Sequence, residues 1–521
     1  MNSLRRLLLI AAASFAAMPA FAQQTVLRIV PQADLVNLDP GLGSNLITRE
    51  YGLMVFEELF TWDQHLQPKP MMVESWSASP DGLTWRFTLR PGLKFHDGQE
   101  VTTADVIPSL RRWTKNDLVG GLTGAAVASL DPVDPRTLEI KLKWPFPSLL
   151  FALGAAVGQT PIIMRAKDVE GDPGTRITTA IGSGPFRFRA NERVSGALTV
   201  FDRNPDYVPR SEPPDGLSGA RLVKVDRMEW KVIPDPATAA AALQAGEVDL
   251  WENPTLDQAV ALAKNPQIKL TKTTDLSTMA IIRPNSTHAP FNDPRGRLAL
   301  AYIINQADVM AGGVGDRQWW KECRSYFVCG GPYGTTAGTE DFGVNIPKAK
   351  QLLADAGYRG EKLLLISSKE IAVIGQMAEV VADQLQKADL NVEIVWSDWA
   401  TTSNRTLNRG PDEKGGWDLF VTTNSGPIVH HPMTSANINM SCDGKNQVGW
   451  PCDEEEERLR HAFLDADEAQ RPAALEALHR RLALVEPYTV LGQFDQPIAY
   501  RANVSGILQM PIVVYWNIGK N

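Results

Sequence analysis

Apolar and polar residues alternate most regularly near the front of the chain. Residues 83–89 alternate in this way, which predicts a half-buried β-strand. Turn-forming residues lie on both sides of it, at 79–82 and at 96–98. His96-Asp97 within the second turn could suggest a metal pair, but an aspartate before glycine is commoner in a turn. Residues 102–105 then predict a capping box, with threonine first and aspartate last, at the start of a helix.

The back half of the chain alternates between helical and strand patterns. Strands are predicted over residues 362–367 and 391–396. Helices are predicted over 294–312, 347–357 and 372–388. This alternation predicts a second α/β lobe with a parallel-type sheet flanked by helices.

The front half predicts a lobe of its own. Residues 26–30 form an opening strand, and an alanine-rich helix over 236–248 with Gly246 as its stop leads into another strand at 249–251. The glycine-rich turn at 182–188 could cradle a phosphate, but its proline removes an N–H that such a site needs. No internal repeat or low-complexity linker separates the halves, so we expect interleaved lobes that the chain crosses between more than once.

Several segments together resemble a known family. The match is an ordered block at the front, and further matches are spread along the mature chain, at residues 68–76, 83–98, 101–106, 182–188, 204–207, 236–251, 487–494, 499–501 and 515–517. In these segments the chain is similar to the family 5 extracellular solute-binding proteins. Those are the dipeptide-, oligopeptide- and nickel-type receptors of bacterial ABC importers.

The resemblance implies an α/β fold of the two-lobed periplasmic binding protein type, the large peptide-receptor class called cluster C, with an extra inserted domain. On this basis lobe I is expected to be discontinuous, made of residues 23–60, 186–280 and 488–521. The inserted domain II is expected over residues 61–185, and lobe III over 281–487.

The first residues predict export from the cytoplasm. Residues 1–22 have the pattern of a secretory signal peptide, with Arg5 and Arg6 before an apolar stretch and Ala20 and Ala22 at a small-x-small cleavage pattern. A membrane anchor is the alternative, but the apolar run is shorter than the roughly 20 residues that span a bilayer. No cysteine follows the cleavage pattern, so we expect a periplasmic protein without a lipid anchor.

Charge argues against two classes of partner. Removal of Arg5 and Arg6 with the leader changes the formal net charge from -8 to -10. An acidic protein is poorly suited to nucleic acid or to an anionic membrane surface. The run of acids at residues 453–457 could bind a metal or a polycation, but acids in the first turn of a helix are favoured by its dipole. We interpret the run as a helix start.

The four cysteines form two local pairs, Cys323 with Cys329 and Cys442 with Cys452. In an oxidising compartment this spacing predicts two disulfides that close short loops. A zinc site is the alternative, but neither pair has knuckle spacing and no histidine lies at ligand spacing beside it.

Catalytic signatures are missing from the sequence. It contains no GxSxG elbow, HExxH helix, P-loop or GxGxxG turn. His430 and His431 are adjacent, and in an extended segment they would point in opposite directions, which disfavours a shared metal ion. We therefore expect a binding protein with no catalytic step, no metal and no cofactor. A secreted hydrolase with scattered carboxylates is one alternative, and a nickel- or haem-type receptor of the same fold is another.

The stretch from residue 396 to 425 is where the solute is expected to bind, because in peptide-binding relatives this region lines the pocket. Aromatic faces and a few polar groups are the usual lining of such a cleft. The candidate ligand-binding residues are Trp399, Arg405, Trp417, Thr423, Asn424 and Ser425. Each tryptophan could instead fill the core, and Arg405 could instead form a surface salt bridge.

One segment departs from the pattern of the peptide receptors. Residues 422–427 match the segment whose aspartate binds the peptide's α-ammonium in those receptors, but here it contains no acid. A buried ammonium without a counter-charge costs several kcal/mol. A free peptide N-terminus is therefore a doubtful ligand, and a polyol, an amide or a blocked peptide is favoured.

The expected function is therefore that of a periplasmic substrate-binding component. It captures a small or peptide-like solute in a hinged cleft and delivers it to inner-membrane ABC permease subunits with their ATPases. We expect it to act as a monomer.

Overall fold

The computed structural model describes residues 24–410, 414–444 and 448–520. The signal peptide predicted over residues 1–22 lies outside the described residues. No helix among the described residues is long and apolar enough to cross a membrane. Helices and strands are mixed along the chain, and three sheets of four or more strands organise them.

A seven-stranded mixed sheet forms the centre of lobe I. Its strands are β1 (Val26–Val30), β10 (Phe186–Phe188), β11 (Leu198–Arg203), β12 (Arg227–Lys231), β13 (Leu250–Trp251), β14 (Ile268–Thr271) and β21 (Ile498–Arg501). They lie in the order β10-β11-β12-β1-β13-β21-β14, and β1 runs parallel to both β12 and β13. The helices of this lobe are α1 (Leu46–Val55), α6 (Pro236–Ala245) and α7 (Leu256–Leu262), and a small hairpin is formed by β22 (Val504–Ser505) and β23 (Gly519–Lys520).

The predicted elements of lobe I are confirmed. The opening strand has the predicted bounds, Val26–Val30. The alanine-rich helix α6 ends at Ala245, because Gly246 takes the left-handed conformation with φ 81° that favours glycine after a helix. The strand that follows, β13, is the predicted one.

The inserted segment has its own four-stranded antiparallel sheet, in the order β5-β6-β8-β7. Its strands are β5 (Val73–Ala78), β6 (Thr84–Leu89), β7 (Val127–Pro132) and β8 (Thr137–Leu142), and shorter pairs join β2 (Glu57–Glu58) to β9 (Ile162–Ile163) and β3 (Phe60–Trp62) to β4 (Pro68–Pro70). Its helices are α2 (Thr103–Asn116), α3 (Leu118–Ala126), α4 (Leu149–Leu153) and α5 (Ala166–Val169).

Two predictions for this segment are confirmed. The alternating stretch forms β6, with Phe87 and Leu89 buried and Arg86 exposed. The carboxylate of Asp105 accepts a hydrogen bond from the Thr102 backbone N–H at 3.0 Å, which closes the capping box of α2.

Lobe III is built on a six-stranded mixed sheet, in the order β16-β20-β15-β19-β17-β18. Its strands are β15 (Thr278–Pro284), β16 (Trp320–Lys321), β17 (Leu363–Ser367), β18 (Val392–Trp396), β19 (Leu419–Asn424) and β20 (Thr489–Phe494). Its helices are α8 (Pro294–Ala301), α9 (Gln306–Gly313), α10 (Ile346–Asp355), α11 (Ala372–Lys387), α12 (Trp399–Arg405), α13 (Gly426–Val429), α14 (Glu454–Asp465) and α15 (Arg471–Val485). The predicted parallel arrangement holds for β17, which runs parallel to both β18 and β19.

The single helix predicted over residues 294–312 is wrong. The chain forms α8 and α9 instead, with a break between Ala301 and Gln306. The side-chain oxygen of Asn305 accepts hydrogen bonds from the N–H groups of Ala307 and Asp308. Asparagine is one of the preferred N-cap residues, and Asn305 therefore starts a new helix. The apolar pattern continues across this start, so it does not reveal the break.

The predictions for the acidic run and for the cysteines are confirmed. Asp453 caps α14, since its side chain accepts a hydrogen bond from the Glu456 N–H, and the four glutamates that follow occupy the first turn. Cys323 is bonded to Cys329 and Cys442 to Cys452, and no cysteine of the described chain is free.

Candidate functional site

The parallel strands of each lobe end at one edge of its sheet. In lobe III, β17, β18 and β19 end at Ser367, Trp396 and Asn424. In lobe I, β1 and β13 end at Val30 and Trp251. Ligands of open α/β sheets bind outside the carboxyl ends of such strands. These two edges are therefore the places to look for a site.

Two connecting segments join these edges to each other. Residues 272–277 lead from β14 to β15, and residues 495–497 lead from β20 to β21. In lobe III the connections meet the sheet beside Asn424, which lies opposite Met279. In lobe I they meet it beside Trp251, which lies opposite Ala499. The two carboxyl edges therefore face each other, and we call the space between them the cleft.

The sheets also suggest where the lobes meet. Strands β15 and β20 belong to the lobe III sheet along their whole length. We therefore propose that lobe III begins within the connection 272–277 and ends within the connection 495–497. The sequence predicts these boundaries at residues 281 and 487. The remaining domain boundaries stay predictions.

The lobe III edge carries aromatic and polar side chains. The Lys369 Nζ lies 4.5 Å from the centroid of the Trp396 ring, at cation-π distance. The Trp399 N–H donates to Glu370 Oε2 at 2.8 Å, and the Trp399 and Phe420 rings are 6.2 Å apart. These contacts hold the half-buried rings of Trp396 and Trp399 at and just after the end of β18, where Trp399 packs against the buried Phe420.

Asn424 and Ser425 lie at the centre of this edge. Within the described chain, the Asn424 Nδ2 and Ser425 Oγ atoms are buried and have no hydrogen-bond partner. The fully buried Ser367 Oγ, at the end of the neighbouring strand, has none either. Buried polar groups are normally hydrogen-bonded, so three such atoms at one edge need an explanation. A polar solute in the cleft would supply the missing partners.

Of the other candidate residues, Thr423 precedes Asn424 in β19 and is half-buried. Arg405 lies in the last turn of α12 and donates through Nε and Nη2 to the Gly416 carbonyl oxygen, at 3.0 and 2.6 Å. Trp417 is fully buried and packs against Phe420 and Trp450 behind the edge. The structure thus groups Thr423 with the edge, and gives Arg405 and Trp417 supporting contacts behind it.

The lobe I edge contains side chains that sequence reasoning missed. Glu252 follows β13, and its Oε2 accepts a hydrogen bond from the Gln32 N–H at 2.8 Å. Gln32 itself follows β1. Ser367 occupies the equivalent position in lobe III. Gln32 and Glu252 follow predicted strands and Ser367 ends one, so their position at strand ends was a signal that could have found them.

A second contact, between the inserted segment and lobe III, is formed by aromatic rings. Phe151 of α4 stacks on Trp62 at 4.8 Å and on His431 of lobe III at 4.3 Å. Tyr333 and Phe463, both of lobe III, pack edge-on against the His431 ring. We call this group, with His430, the inter-lobe aromatic cluster.

The cluster corrects the prediction for the two histidines. They do not lie in an extended segment, because α13 ends at Val429 and His430 is its C-cap. Their rings lie 5.9 Å apart and are both buried in the same cluster. The His430 Nδ1–H donates to the Pro427 carbonyl oxygen at 2.7 Å, which holds the ring in place.

Acid is expected to weaken this cluster. Burial lowers the pKa of His430 to about 4, and burial, His430 and Arg471 lower the pKa of His431 well below its ordinary 6.5. The unfolded chain binds these protons near pH 6.5, so the stability from neutral imidazoles is present above that pH and is lost as pH falls toward 4. His431→Phe should therefore lose less unfolding free energy than the wild type between pH 6.5 and 4.5, as measured by urea titration. The exposed His65→Phe should follow the wild type, and an identical slope for both variants would contradict the assignment.

No group of three or more His, Cys, Asp or Glu side chains in the described ranges is arranged to hold a metal ion. The residues of the cleft offer hydrogen bonds and aromatic faces.

Comparison with known proteins identifies the family. The model of the bacterial extracellular solute-binding proteins, family 5 middle, matches residues 67–447. A probable peptide ABC transporter periplasmic-binding protein of Sinorhizobium fredii (strain NGR234) is 34% identical over 502 residues, which cover 92% of this chain and 91% of that protein. A glutathione-binding protein of Salmonella paratyphi A is 27% identical over 458 residues, 83% of this chain and 84% of that protein.

Solved structures show the same fold. A dipeptide-binding protein from Pseudoalteromonas sp. SM9913, in complex with Met-Leu, aligns with a TM-score of 0.79 at 18% identity over 95% of this chain and 100% of its own. A binding protein for agropinic acid from A. tumefaciens R10 aligns with a TM-score of 0.78 at 22% identity over 95% and 99%. The predicted two-lobed α/β fold is confirmed. The chain belongs to family 5 of the bacterial extracellular solute-binding proteins, and it is a substrate-binding protein of the ABC-importer type.

Proposed function

We propose that the protein captures a peptide-like solute in the periplasm and delivers it to the inner-membrane permease subunits and ATPases of an ABC importer. Residues 1–22 would direct its export and be removed. The functions for which the two relatives are named, peptide and glutathione binding, support a solute with amide groups. The protein would act as a monomer and carry out no catalytic step.

The observation that carries this proposal is the set of unpartnered polar atoms at the ends of β17 and β19 in lobe III. Asn424 Nδ2, Ser425 Oγ and Ser367 Oγ are buried without a partner among the described residues. Leaving a buried polar group unpaired costs about 1–3 kcal/mol. An amide-rich solute offers carbonyl oxygens and N–H groups that would satisfy them, so binding would recover this cost.

Closure of the lobes is part of the proposed mechanism. The two connections, 272–277 and 495–497, are the segments that can absorb a hinge rotation. Solute held at the lobe III edge would be covered by the lobe I edge, and the inter-lobe aromatic cluster would form on closing. The closed form would then be the one that the permease recognises.

The proposed binding residues differ in role. Asn424, Ser425 and Thr423 would hydrogen-bond the solute, and Trp399 would offer an aromatic face. Arg405 and Trp417 would act indirectly, since Arg405 is bonded to Gly416 and Trp417 is buried behind the edge.

Mass spectrometry of the protein purified from the periplasm tests the proposal. Denaturation should release a peptide-like solute in nearly equimolar amount from the wild type. The double variant Asn424→Ala, Ser425→Ala should retain at least tenfold less, because its two donors are removed. The matched control is Ser109→Ala, a buried serine of α2 that bonds Asp105 and Met164 far from the cleft, and it should retain as much as the wild type. Equal solute in all three proteins would overturn the proposed site.

A further inference from the structure

Two glutamates of lobe I are buried without full hydrogen bonding. Glu252 is 5% exposed and Glu50, in the middle of α1, is 1% exposed. Within the described residues, Glu252 Oε1 and both carboxyl oxygens of Glu50 have no hydrogen-bond partner. Carboxylates are rarely buried unless they are paired, so this pair needs an explanation.

The position of Glu252 is at the base of the cleft. Its backbone N–H donates to the Val30 carbonyl at the end of β1. Two residues later, the Pro254 carbonyl accepts a hydrogen bond from Gln496 Nε2, which lies in the connection between the lobes. Glu252 is thus held between the strand ends and the hinge, on the edge that faces Asn424.

Glu50 is a neighbour of Glu252 in space. Burial raises the pKa of Glu50 well above its ordinary value, the charge of Glu252 raises it further, and the nearby charge of Arg49 lowers it in part. Burial also raises the pKa of Glu252, to about 8. Arg49, beside Glu50 in α1, donates its Nη1 to the Ala156 carbonyl, and no salt bridge between it and Glu50 is formed in the described structure. The two carboxyls together form a site that favours a positive charge.

Acids on the lobe III side have other partners. Asp418 accepts from the Leu364 N–H and pairs with His288. Asp398 caps α12 by accepting from the N–H and the hydroxyl of Thr401. Residues 422–427 contain no acid. The lobe I pair therefore offers a counter-charge where the lobe III segment has none.

We propose that Glu50 and Glu252 form a subsite for a cationic group of the solute, a primary ammonium or a guanidinium. This inference rests on the proposed function, because it places that group inside the same cleft. The lobe III edge would bind the amides of the solute, and the lobe I pair would bind its positive charge. Residues 422–427 disfavour a solute with a free ammonium group, whereas the lobe I pair would favour one.

Proton release is the signature of such a subsite. Without a cation, a pKa of about 8 keeps Glu252 largely protonated at neutral pH, and the raised pKa of Glu50 favours its protonated form as well. A bound cation favours the ionised carboxylates, so it lowers their pKa and expels a proton. Affinity for a cationic solute should therefore rise as pH increases from 5 to 8, and binding should release protons to the buffer.

The experiment exposes four solute-free proteins to a defined mixture of di- and tripeptides, each present in free and N-acetylated form, and identifies the retained peptides by mass spectrometry. The proteins are the wild type, Glu50→Gln, Glu252→Gln and the control Glu456→Gln. Glu456 of α14 is equally buried, has both carboxyl oxygens unpartnered in the described chain, and has a pKa raised to about 9 mainly by burial, yet it lies outside the cleft. Calorimetry of the best-retained peptide in buffers of different ionisation enthalpy then counts the protons released.

The wild type and Glu456→Gln should retain free peptides over acetylated ones and release protons. Glu50→Gln and Glu252→Gln should bind the same peptide roughly 30-fold or more weakly, as expected when one partner of a buried charge pair is lost. Retention of acetylated peptides, or equal affinity in all four proteins, would overturn the subsite and leave the proposed function standing. Retention of no peptide by any protein would overturn the proposed function, and the subsite with it.

Discussion

Asp39→Ala is expected to lower the free energy of unfolding by about 3–5 kcal/mol, the cost of breaking a buried ion pair from one side. Asp39 is fully buried and binds the Arg112 guanidinium with both oxygens, at 3.0 and 2.7 Å. It also accepts the N–H groups of Gly41 and Ile177. The substitution would leave a buried charge and two backbone donors unpaired, between lobe I and the inserted segment.

Urea denaturation followed by tryptophan fluorescence measures this loss. The control is Asp206→Ala, which removes an ion pair of similar length with Arg187 at 2.6 Å. The Asp206 side chain is 67% exposed, so its loss should cost less than about 1 kcal/mol. Equal destabilisation by the two substitutions would show that burial of the Asp39 ion pair does not increase its contribution to the free energy of unfolding.

Phe151→Ala is expected to weaken solute binding on the order of tenfold, although Phe151 lies in the inter-lobe aromatic cluster and not at the strand edges. Its ring contacts His431 across the lobes at 4.3 Å, with an interplanar angle of 21°. An aromatic pair contributes about 0.5–1.5 kcal/mol beyond its buried area. If closure forms this contact, its loss lowers the closed fraction, and the apparent affinity falls by the same factor.

Fluorescence titration with the solute released from the wild type measures the affinity of Phe151→Ala. Phe342→Ala is the matched control, since Phe342 is also half-buried and packs edge-on against Tyr302 at 5.7 Å, but entirely within lobe III. Its affinity should equal that of the wild type. An unchanged affinity in Phe151→Ala would mean that the cluster does not take part in closure.

The elements with a local cause were predictable from the sequence. Residues 26–30, the capping box of α2 and the acidic start of α14 each depend on a pattern or a hydrogen bond within a few residues. The break after Ala301 was missed because apolar residues continue through it, and the capping role of Asn305 is visible only from its side-chain contacts.

The candidate site was predictable in part. Asn424 and Ser425 are candidates because they match a receptor segment, and in the structure Asn424 ends β19 and Ser425 follows it. Trp417 is a candidate for lining the site, but in the structure its side chain is fully buried. A tryptophan ring can pack equally well against a ligand or in the core, so the sequence could not distinguish the two. Glu50 and Glu252 are about two hundred residues apart. Only the fold brings them together, so no sequence spacing could predict the pair.

Capture of an unaltered solute by closing lobes is the central claim, and X-ray scattering tests it most directly. The solute is first released from protein purified from the periplasm. Scattering is then measured for the solute-free protein and for the same protein after this solute is added back. The mass of the solute is determined by mass spectrometry before and after binding. The account predicts a smaller radius of gyration with the solute bound, and a solute of unchanged mass. An unchanged radius, or a solute converted to another mass, would contradict it.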